Sequence, residues 1–506
     1  MPELLLADPL IGLSAIGDLA RGLELGHAGR TCFIGCRLAR ALGGSDEIVR
    51  DVFFASLLQH IGCVAHAHDT AVLDAGRTIE ANMAVDRTDF SRPTDIVRTL
   101  LAELSQGGNL LARMRLLFPA ARMGKIALRT SCEIAEMTAR HMGLDAGVQD
   151  ALRNISEWYN GKGGFLGRKR DEIPLASRIV LASFTVSVFD RIGGPQAAVE
   201  AARTRAGKIL DPSVSDAFIR NGTEILDELA SIDLLHELSD AEPDPKVIID
   251  EDSLDEVAVA FGEAVDLKTP FTQGSAGSAF DIAGRAAVAL GFDQKVVAET
   301  RRAAALRDIG KASLPNAIVE KAGPLTEIDQ EQVRLHAYQT ERVLGRSRAL
   351  AAEARSAGLH HERANGSGYH RGLSGSAIAA PARVIAAVDC FVAMTQPRPY
   401  RAAMSVDEAC AQLRDDRGLD HDAVDAVIAA AHGADRPPRR RTHAALTERQ
   451  IEVLRLVAHG LTNRQIAEQL VVSSRTAERH VQDIYQRIGA SSRAAAALFA
   501  VENDLL

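Results

Sequence analysis

The sequence predicts an all-α protein: two long helical domains in tandem, followed by a small helical tail. Three observations carry that prediction. Apolar residues recur three and four apart along Ala-, Leu-, Arg- and Glu-rich stretches, with few alternating β-branched runs, which is helical patterning. Short motifs recur at two fixed offsets, the mark of a duplicated body. Two proline- and charge-rich connectors divide a chain of 506 residues, which is too long for one core.

The duplication is read from paired motifs. Gly26-His27-Ala28 matches Gly274-Ser275-Ala276, and LLQHIG (Leu57 to Gly62) matches ALRDIG (Ala305 to Gly310), both at an offset of 248. Glu157-x3-Gly161-x-Gly163 matches Glu362-x3-Gly366-x-Gly368, and Arg178 matches Arg383, all at 205. The first copy therefore carries 43 extra residues between Gly62 and Glu157. The expected organisation is a first domain over 1–236, an acidic, proline-bearing linker over 237–256, and a second domain over 257–433. A Pro/Arg linker over 434–443 then leads to a terminal domain over 444–506.

The tail shows three helix starts. Thr447 with Gln450 and Thr462 with Gln465 form capping boxes, and Ser473 can cap a third helix. Gly460 and Gly489 end the first and third helices. Ile451, Leu454, Val457, Ile466, Leu470, Val481, Ile484 and Ile488 fall on inward faces. The short turn before the third helix suits a helix-turn-helix, and Arg475, Thr476, Arg479 and His480 lie on that helix's first two turns.

From Leu446 to Arg493 the tail closely resembles the LuxR/GerE helix-turn-helix family, with Ala477 where a larger aliphatic residue is usual. The resemblance implies a DNA reader using Thr462, Asn463, Arg464, Ser474, Arg475, Thr476, Arg479 and His480. It also implies double-stranded promoter DNA as partner and a homodimer joined through the fourth helix, around Arg493 to Val501.

The second copy resembles the HD-GYP family through RDIGKASLPNAIVEKAGPLT, His336, HHERANGSGYHRGLSG and ARVIAAVDCFVAMTQPRPYR. Members hold two or three metal ions on His and Asp ligands and hydrolyse cyclic dinucleotides. Asp308, His336, His360, His361 and Asp389 match ligand positions, whereas Ser275 and Arg307 stand where the family has histidines. Asn365 replaces an acid, and the GYP tripeptide reads Gly368-Tyr369-His370. A fixed guanidinium beside a divalent ion repels it. Arg307 can instead pair Asp308 or Asp389 and take over a missing metal's charge. The residues favour a metal-free polar cluster, with one divalent transition metal on three histidines and Asp308 as the alternative.

In the first copy His27 remains, but Gln59-His60 stand at the HD position, Ile155-Ser156 at the paired histidines, and Phe184 opposite Asp389. That leaves no metal site of the family type, and a greasier pocket that could admit an apolar ligand. Glu157 to Gly164 looks like a phosphate-cradling glycine loop, but as the relic of the GYP-type loop its glycines serve turn geometry. His66 and His68 read as solvated loop residues, and Met394 and Met404 as core.

Composition narrows the function classes. Apolar residues are 46% and charged residues 25%, ordinary for a globular protein, and 4% aromatics argues against extensive base-stacking surfaces. From Pro437 onward there are ten basic and seven acidic residues, against 48 and 60 in the remainder, so a mildly basic tail follows an acidic body. Six scattered cysteines read as reduced, buried thiols; the Cys32-x3-Cys36 pair leaves a metal or redox switch as the alternative. No apolar run reaches the roughly 20 residues that cross a bilayer. MPELLLADPLIGLSA lacks a basic flank, so a cytoplasmic protein with no membrane partner is expected.

The expected function is a transcription regulator whose tandem, catalytically inactive HD-type domains sense a small-molecule ligand and control the reader. The competing expectation is a metal-dependent cyclic dinucleotide phosphodiesterase joined to a DNA-binding domain. A third is a helical scaffold for a protein partner.

Overall fold

The computed structural model describes residues 3–65, 84–89, 91–92, 94–97, 110–433, 446–503 and 505–506, and these fold into helices. No strand beyond isolated bridges occurs among them. The chain folds as two compact units, Met1–Ile249 and Asp250–Leu506. No helix among the described residues is long and apolar enough to cross a membrane.

The first unit is built on the helices His27–Ala41, Asp46–Leu58, Leu110–His141, Ala146–Asn154, Leu175–Arg205 and Pro212–Ser231. The long helix Leu175–Arg205 is interrupted at Gly193 and Gly194, just before Pro195, where the backbone leaves helical values. In the second unit Glu251–Asp266, Ser275–Ala289, Gln294–Leu306, Glu327–Leu344 and Ala380–Thr395 surround the candidate site.

The two copies repeat the same local devices. Gly26 (φ 99°) and Gly274 (φ 75°) turn the chain into the helices beginning at His27 and Ser275. Buried Asp18 then accepts hydrogen bonds from the backbone N–H groups of Gly26, His27 and Ala28 at 2.8–3.0 Å, and Asp266 accepts from Ala276 at 2.7 Å. Ser45 and Asp293, again 248 apart, cap the next helix of each copy. Arg178 binds Asp211 at 2.5 Å and Arg383 binds Asp420 at 2.6 Å, each aspartate also capping a helix.

The glycines of the HD-type motifs mark a close crossing. A Cβ on Gly62 would fall 2.1 Å from the Ser131 carbonyl oxygen, and one on Gly310 would fall 2.0 Å from that of His336. Ser131 and His336 are 205 residues apart, so Ser131 is the first copy's counterpart of His336, and the extra 43 residues lie between Gly62 and Ser131.

One expectation is corrected by this architecture. The linker at 237–256 is narrower than expected: Leu234–Asp240 is helical into its start and Glu251–Asp266 from near its end. What lies between pairs with the N-terminus, where Leu6 N–H donates to Val247 O at 2.8 Å and Ile249 N–H to Leu4 O at 2.9 Å. Cys32 and Cys36 neighbour each other, and their thiols lie against the carbonyls of Phe53 and Val49 at 3.6 and 3.9 Å. The 434–443 linker, His66 and His68 lie outside the described residues.

Candidate functional site

The second copy brings all five expected ligand residues together. Among the described residues, His336, His360 and His361 form one group able to hold a metal, and Asp308, His360 and Asp389 a second that shares His360. His336 projects from the helix Glu327–Leu344, the two neighbouring histidines follow Ala351–Ala357, and Asp389 comes from Ala380–Thr395. Asp308 sits just after Gln294–Leu306.

The donor set decides what fits there. A carbonyl oxygen only accepts, so the bond from His336 Nδ1 to Val333 O, and that from His360 Nδ1 to Ala357 O at 2.6 Å, put both protons on Nδ1. The two Nε2 atoms then face each other as lone pairs, 3.1 Å apart. Asp308 Oδ1 lies 3.4 and 3.6 Å from them and has no hydrogen-bond partner. Burial, and nearby imidazoles and lysine, push His336 below its ordinary pKa; burial and His360 push His361 well below. Two imidazole Nε2 atoms and a carboxylate oxygen meeting in a buried place suit a shared proton or a metal cation.

Beside this group lies Arg307, 2% exposed. Its Nε donates to Asp389 Oδ1, one Nη to the Ser275 hydroxyl and the other to the Ala304 carbonyl, each at 2.8 Å. Asp308 Oδ2 receives Lys311 Nζ at 2.8 Å, with Arg307 at 3.7 Å. Burial alone would raise both carboxyls. Arg307 with His361 offsets this at Asp389, and Lys311 with Arg307 at Asp308, holding both below the usual carboxylate range. Arg307 therefore pairs Asp389 by a close hydrogen bond and Asp308 only at longer range, and it also binds Ser275.

Lys311 and Thr340 were not picked out from the sequence, and Tyr369 was named there only as part of a tripeptide. Tyr369 stacks on His361 at 4.3 Å between ring centroids, and the Thr340 hydroxyl donates to Arg307 O at 2.9 Å. Lys311 was the findable one, since it is three residues beyond an acid in the same motif. Asn365 accepts from Ser367 N–H at 3.0 Å and so closes a turn.

The glycine-rich loops enclose carboxylates of their own chain. Glu157 Oε1 accepts from the backbone of Phe165 and Leu166 at 2.8 Å, and Glu362 accepts from that of Arg371 and Leu373 at 3.1 and 2.9 Å. A Cβ on Gly164 would sit 2.0 Å from Glu157 Oε1, so the glycine makes room for the carboxylate.

In the first copy Phe184 packs its ring 5.3 Å from His27 and 4.8 Å from His60, edge to face. Arg21, ion-paired with Asp86, lies 5.7 Å over the same ring. Phe184 thus occupies the space between the two imidazoles. Burial, Arg30 and Arg21 push His27 down to about 3, so it is neutral. Gln59 bonds Ser56 O at 3.0 Å, a local helix contact.

In the tail the caps form as expected, with Gly460 and Gly489 in the left-handed region. Ser474, Arg475 and Arg479 are exposed on the helix Ser474–Ile488, with Thr476 and His480 half-buried beside them. Other expected contacts have partners within the chain. Asn463 Oδ1 accepts from Arg493 at 2.6 Å, the Thr462 hydroxyl bonds Gln465, and Arg464 pairs Glu468 at 2.9 Å. The helix Arg493–Glu502 buries Ala495, Ala496, Ala497, Leu498 and Ala500 within this chain and packs on Glu448–Ala458.

Comparison with known proteins agrees with both halves. The HD domain model matches residues 261–423, and that of bacterial regulatory proteins, luxR family, matches 444–500. The chain is 33% identical over 175 residues to 3'3'-cGAMP-specific phosphodiesterase 1 of Vibrio cholerae, covering 34% of this chain and 41% of that protein. A crystal structure of a cyclic GMP-AMP-specific phosphodiesterase of V. cholerae (V-cGAP3) superposes with a TM-score of 0.58 and 26% identity, over 87% of this chain and all of that one. The luxR-type domain implies DNA binding. With 30% identity over 433 residues, 84% of its length, to 93% of the 3'3'-cGAMP-specific phosphodiesterase 3 of V. cholerae, the chain belongs to that protein's family and joins its HD domain to a luxR-type regulator domain.

Proposed function

We propose that the chain is a DNA-binding transcription regulator whose second HD domain recognises a cyclic dinucleotide and reports its presence to the luxR-type reader. The observation that carries this reading is Arg307. Its buried guanidinium spends its hydrogen bonds on Asp389, Ser275 and Ala304, in a family whose resemblance implies histidines at 275 and 307. An arginine supplies positive charge for a phosphodiester but no Lewis acidity.

One divalent ion fits the remaining donors. Asp308, His336, His360 and His361 would hold it, and it would polarise a phosphoryl oxygen or a bound water. Around it, Arg307 and Lys311 balance Asp389 and Asp308, Thr340 fixes the Arg307 backbone, and Tyr369 orients His361 by stacking. Recognition alters the reader only insofar as the ligand binds one of its states better than the other.

A second reading, a phosphodiesterase fused to a DNA reader, is favoured by the kinship with V. cholerae phosphodiesterases and by the convergent lone pairs of His336 and His360. Metal analysis and incubation with 3'3'-cGAMP separate the two. The sensor predicts at most one divalent ion per chain, saturable binding of the dinucleotide and no multiple turnover, with promoter affinity changed by the ligand. Two ions per chain with sustained hydrolysis would establish the second reading.

A further inference from the structure

Outside the histidine–carboxylate centre, one loop of the first copy has been rebuilt in a way that points to a ligand. Arg170 and Gly375 are related by the 205-residue offset, and both have φ of 50°. Each donates its backbone N–H to the matching carbonyl, Tyr159 O or Ala364 O, at 2.9 Å. Glycine is free to adopt this left-handed backbone, whereas a residue with a Cβ is strained there. The first copy nevertheless carries arginine. Neighbouring positions have changed with it: Tyr159 stands opposite Ala364, and Lys169 opposite Ser374.

These substitutions meet at one place. Tyr159, Asn160, Lys169, Arg170 and Gly207 line a cleft of about 320 Å³, within the size range of small-ligand sites. Backbone bonds hold its walls, Tyr159 N–H to Ile209 O at 3.0 Å and Asn160 N–H to Lys208 O at 2.9 Å. Lys169 and Arg170 are exposed, as are Lys162 and Lys208 in the adjoining chain. Of the nearby acids, Asp171 is paired with Arg178 at 3.1 Å, and Glu172 Oε2 accepts from the Lys169 backbone N–H at 3.1 Å. An arginine kept at a left-handed position that glycine satisfies in the other copy, on the wall of a preformed cleft, marks a side chain with a task.

We propose that this cleft binds a phosphate-bearing small molecule of nucleotide size, its anion held by Lys169 and Arg170 and its ring system by Tyr159. Guanidinium and ammonium groups suit phosphate oxygens, and an aromatic wall suits a base. The site is separate from the histidine centre and does not depend on how that centre functions.

Calorimetric titration of the full chain with adenosine 5'-monophosphate, and separately with inorganic phosphate, tests it. One saturable site is expected, with the nucleotide at least about tenfold tighter than phosphate, because only the nucleotide uses Tyr159 as well as the cations. Arg170→Gly is the decisive variant, since Gly375 already satisfies this backbone in the second copy. Its thermal midpoint should be no lower than that of the wild type, while its nucleotide affinity falls by about tenfold or more. His336→Ala should titrate like the wild type. The proposal is overturned by an absence of binding with both probes, by Arg170→Gly binding as tightly as the wild type, or by binding lost in His336→Ala and kept in Arg170→Gly.

Discussion

Arg307→Met removes the buried guanidinium while keeping most of the side-chain length. Asp389, itself 8% exposed, then loses its 2.8 Å partner, and Ser275 loses a donor. Stripping one member from a buried ion pair costs about 3–5 kcal/mol, because the remaining charge is left uncompensated. For a unit of this size that is a fall in thermal midpoint of roughly 6–20 °C. The deficit carries a pH signature. In the wild type the Asp389 carboxyl is depressed, so its contribution is complete above the unfolded value near 4 and disappears only as pH falls through the lower folded value. In the variant burial dominates and raises that carboxyl, so protonation relieves the penalty and the gap between the proteins narrows from pH 7 towards pH 4. Thermal unfolding of the full chain at the two pH values measures both effects. A variant within about 1 kcal/mol of the wild type at pH 7, or a gap that widens on acidification, would refute Arg307 as the internal counter-charge.

His27 gives the first unit an acid sensitivity of its own: buried and neutral with a pKa of about 3, it opposes unfolded-state protonation near 6.5. Stability should fall as pH drops between these values, by up to about 5 kcal/mol at 1.36 kcal/mol per pH unit, and His27→Phe should flatten that slope in urea titrations. In the tail, Arg479→Ala should weaken promoter binding and lower the salt slope by about 0.9, as loss of one phosphate contact requires; an unchanged slope in a filter-binding series means Arg479 touches no phosphate. The pair Ser275→His with Arg307→His should add about one divalent ion per chain by elemental analysis, since it restores two imidazoles and removes the fixed cation; no gain would show that the pocket has closed. Deleting residues 1–236 should leave DNA binding intact but change how it responds to ligand; an unchanged response would exclude the first copy from sensing.

Much of this fold was legible because the duplication writes each device twice. The left-handed glycines at 26 and 274 sit at the offset that the motifs announce, and the caps at Thr447, Thr462 and Ser473 follow from side chains three residues apart. The cluster was legible as well, since His336, His360, His361, Asp308 and Asp389 were chosen by motif and do converge. What escaped were facts of side-chain direction. Nothing local says that Arg307 Nε turns to Asp389, 82 positions away, or that Phe184 fills the space between two imidazoles. Asn463 escaped for the same reason: its partner, Arg493, lies 30 residues on and claims the oxygen that motif position alone would offer to DNA. The linker at 237–256 was overextended because composition reports charge and proline but not the helix Glu251–Asp266, whose first turn is acidic by virtue of its N-terminal position.

The two copies also balance their buried charges in different ways. In the first, Phe184 stands where the offset places Asp389, His27 and His60 are neutral, and the nearby Asp86 is answered by Arg21. In the second, Asp308 and Asp389 both persist in a buried place, and Arg307 with Lys311 brings the local sum to zero before any ion is added. A divalent ion held by His336, His360, His361 and Asp308 is tolerable under that balance. A second one brought to within about 4 Å of the guanidinium meets a repulsion of roughly 8 kcal/mol at an effective dielectric of 20. The two carboxylates and the arginine are therefore one electrostatic arrangement. That repulsion is why metal stoichiometry in the paired histidine variant, rather than activity alone, is the quantity that tests the proposed sensor.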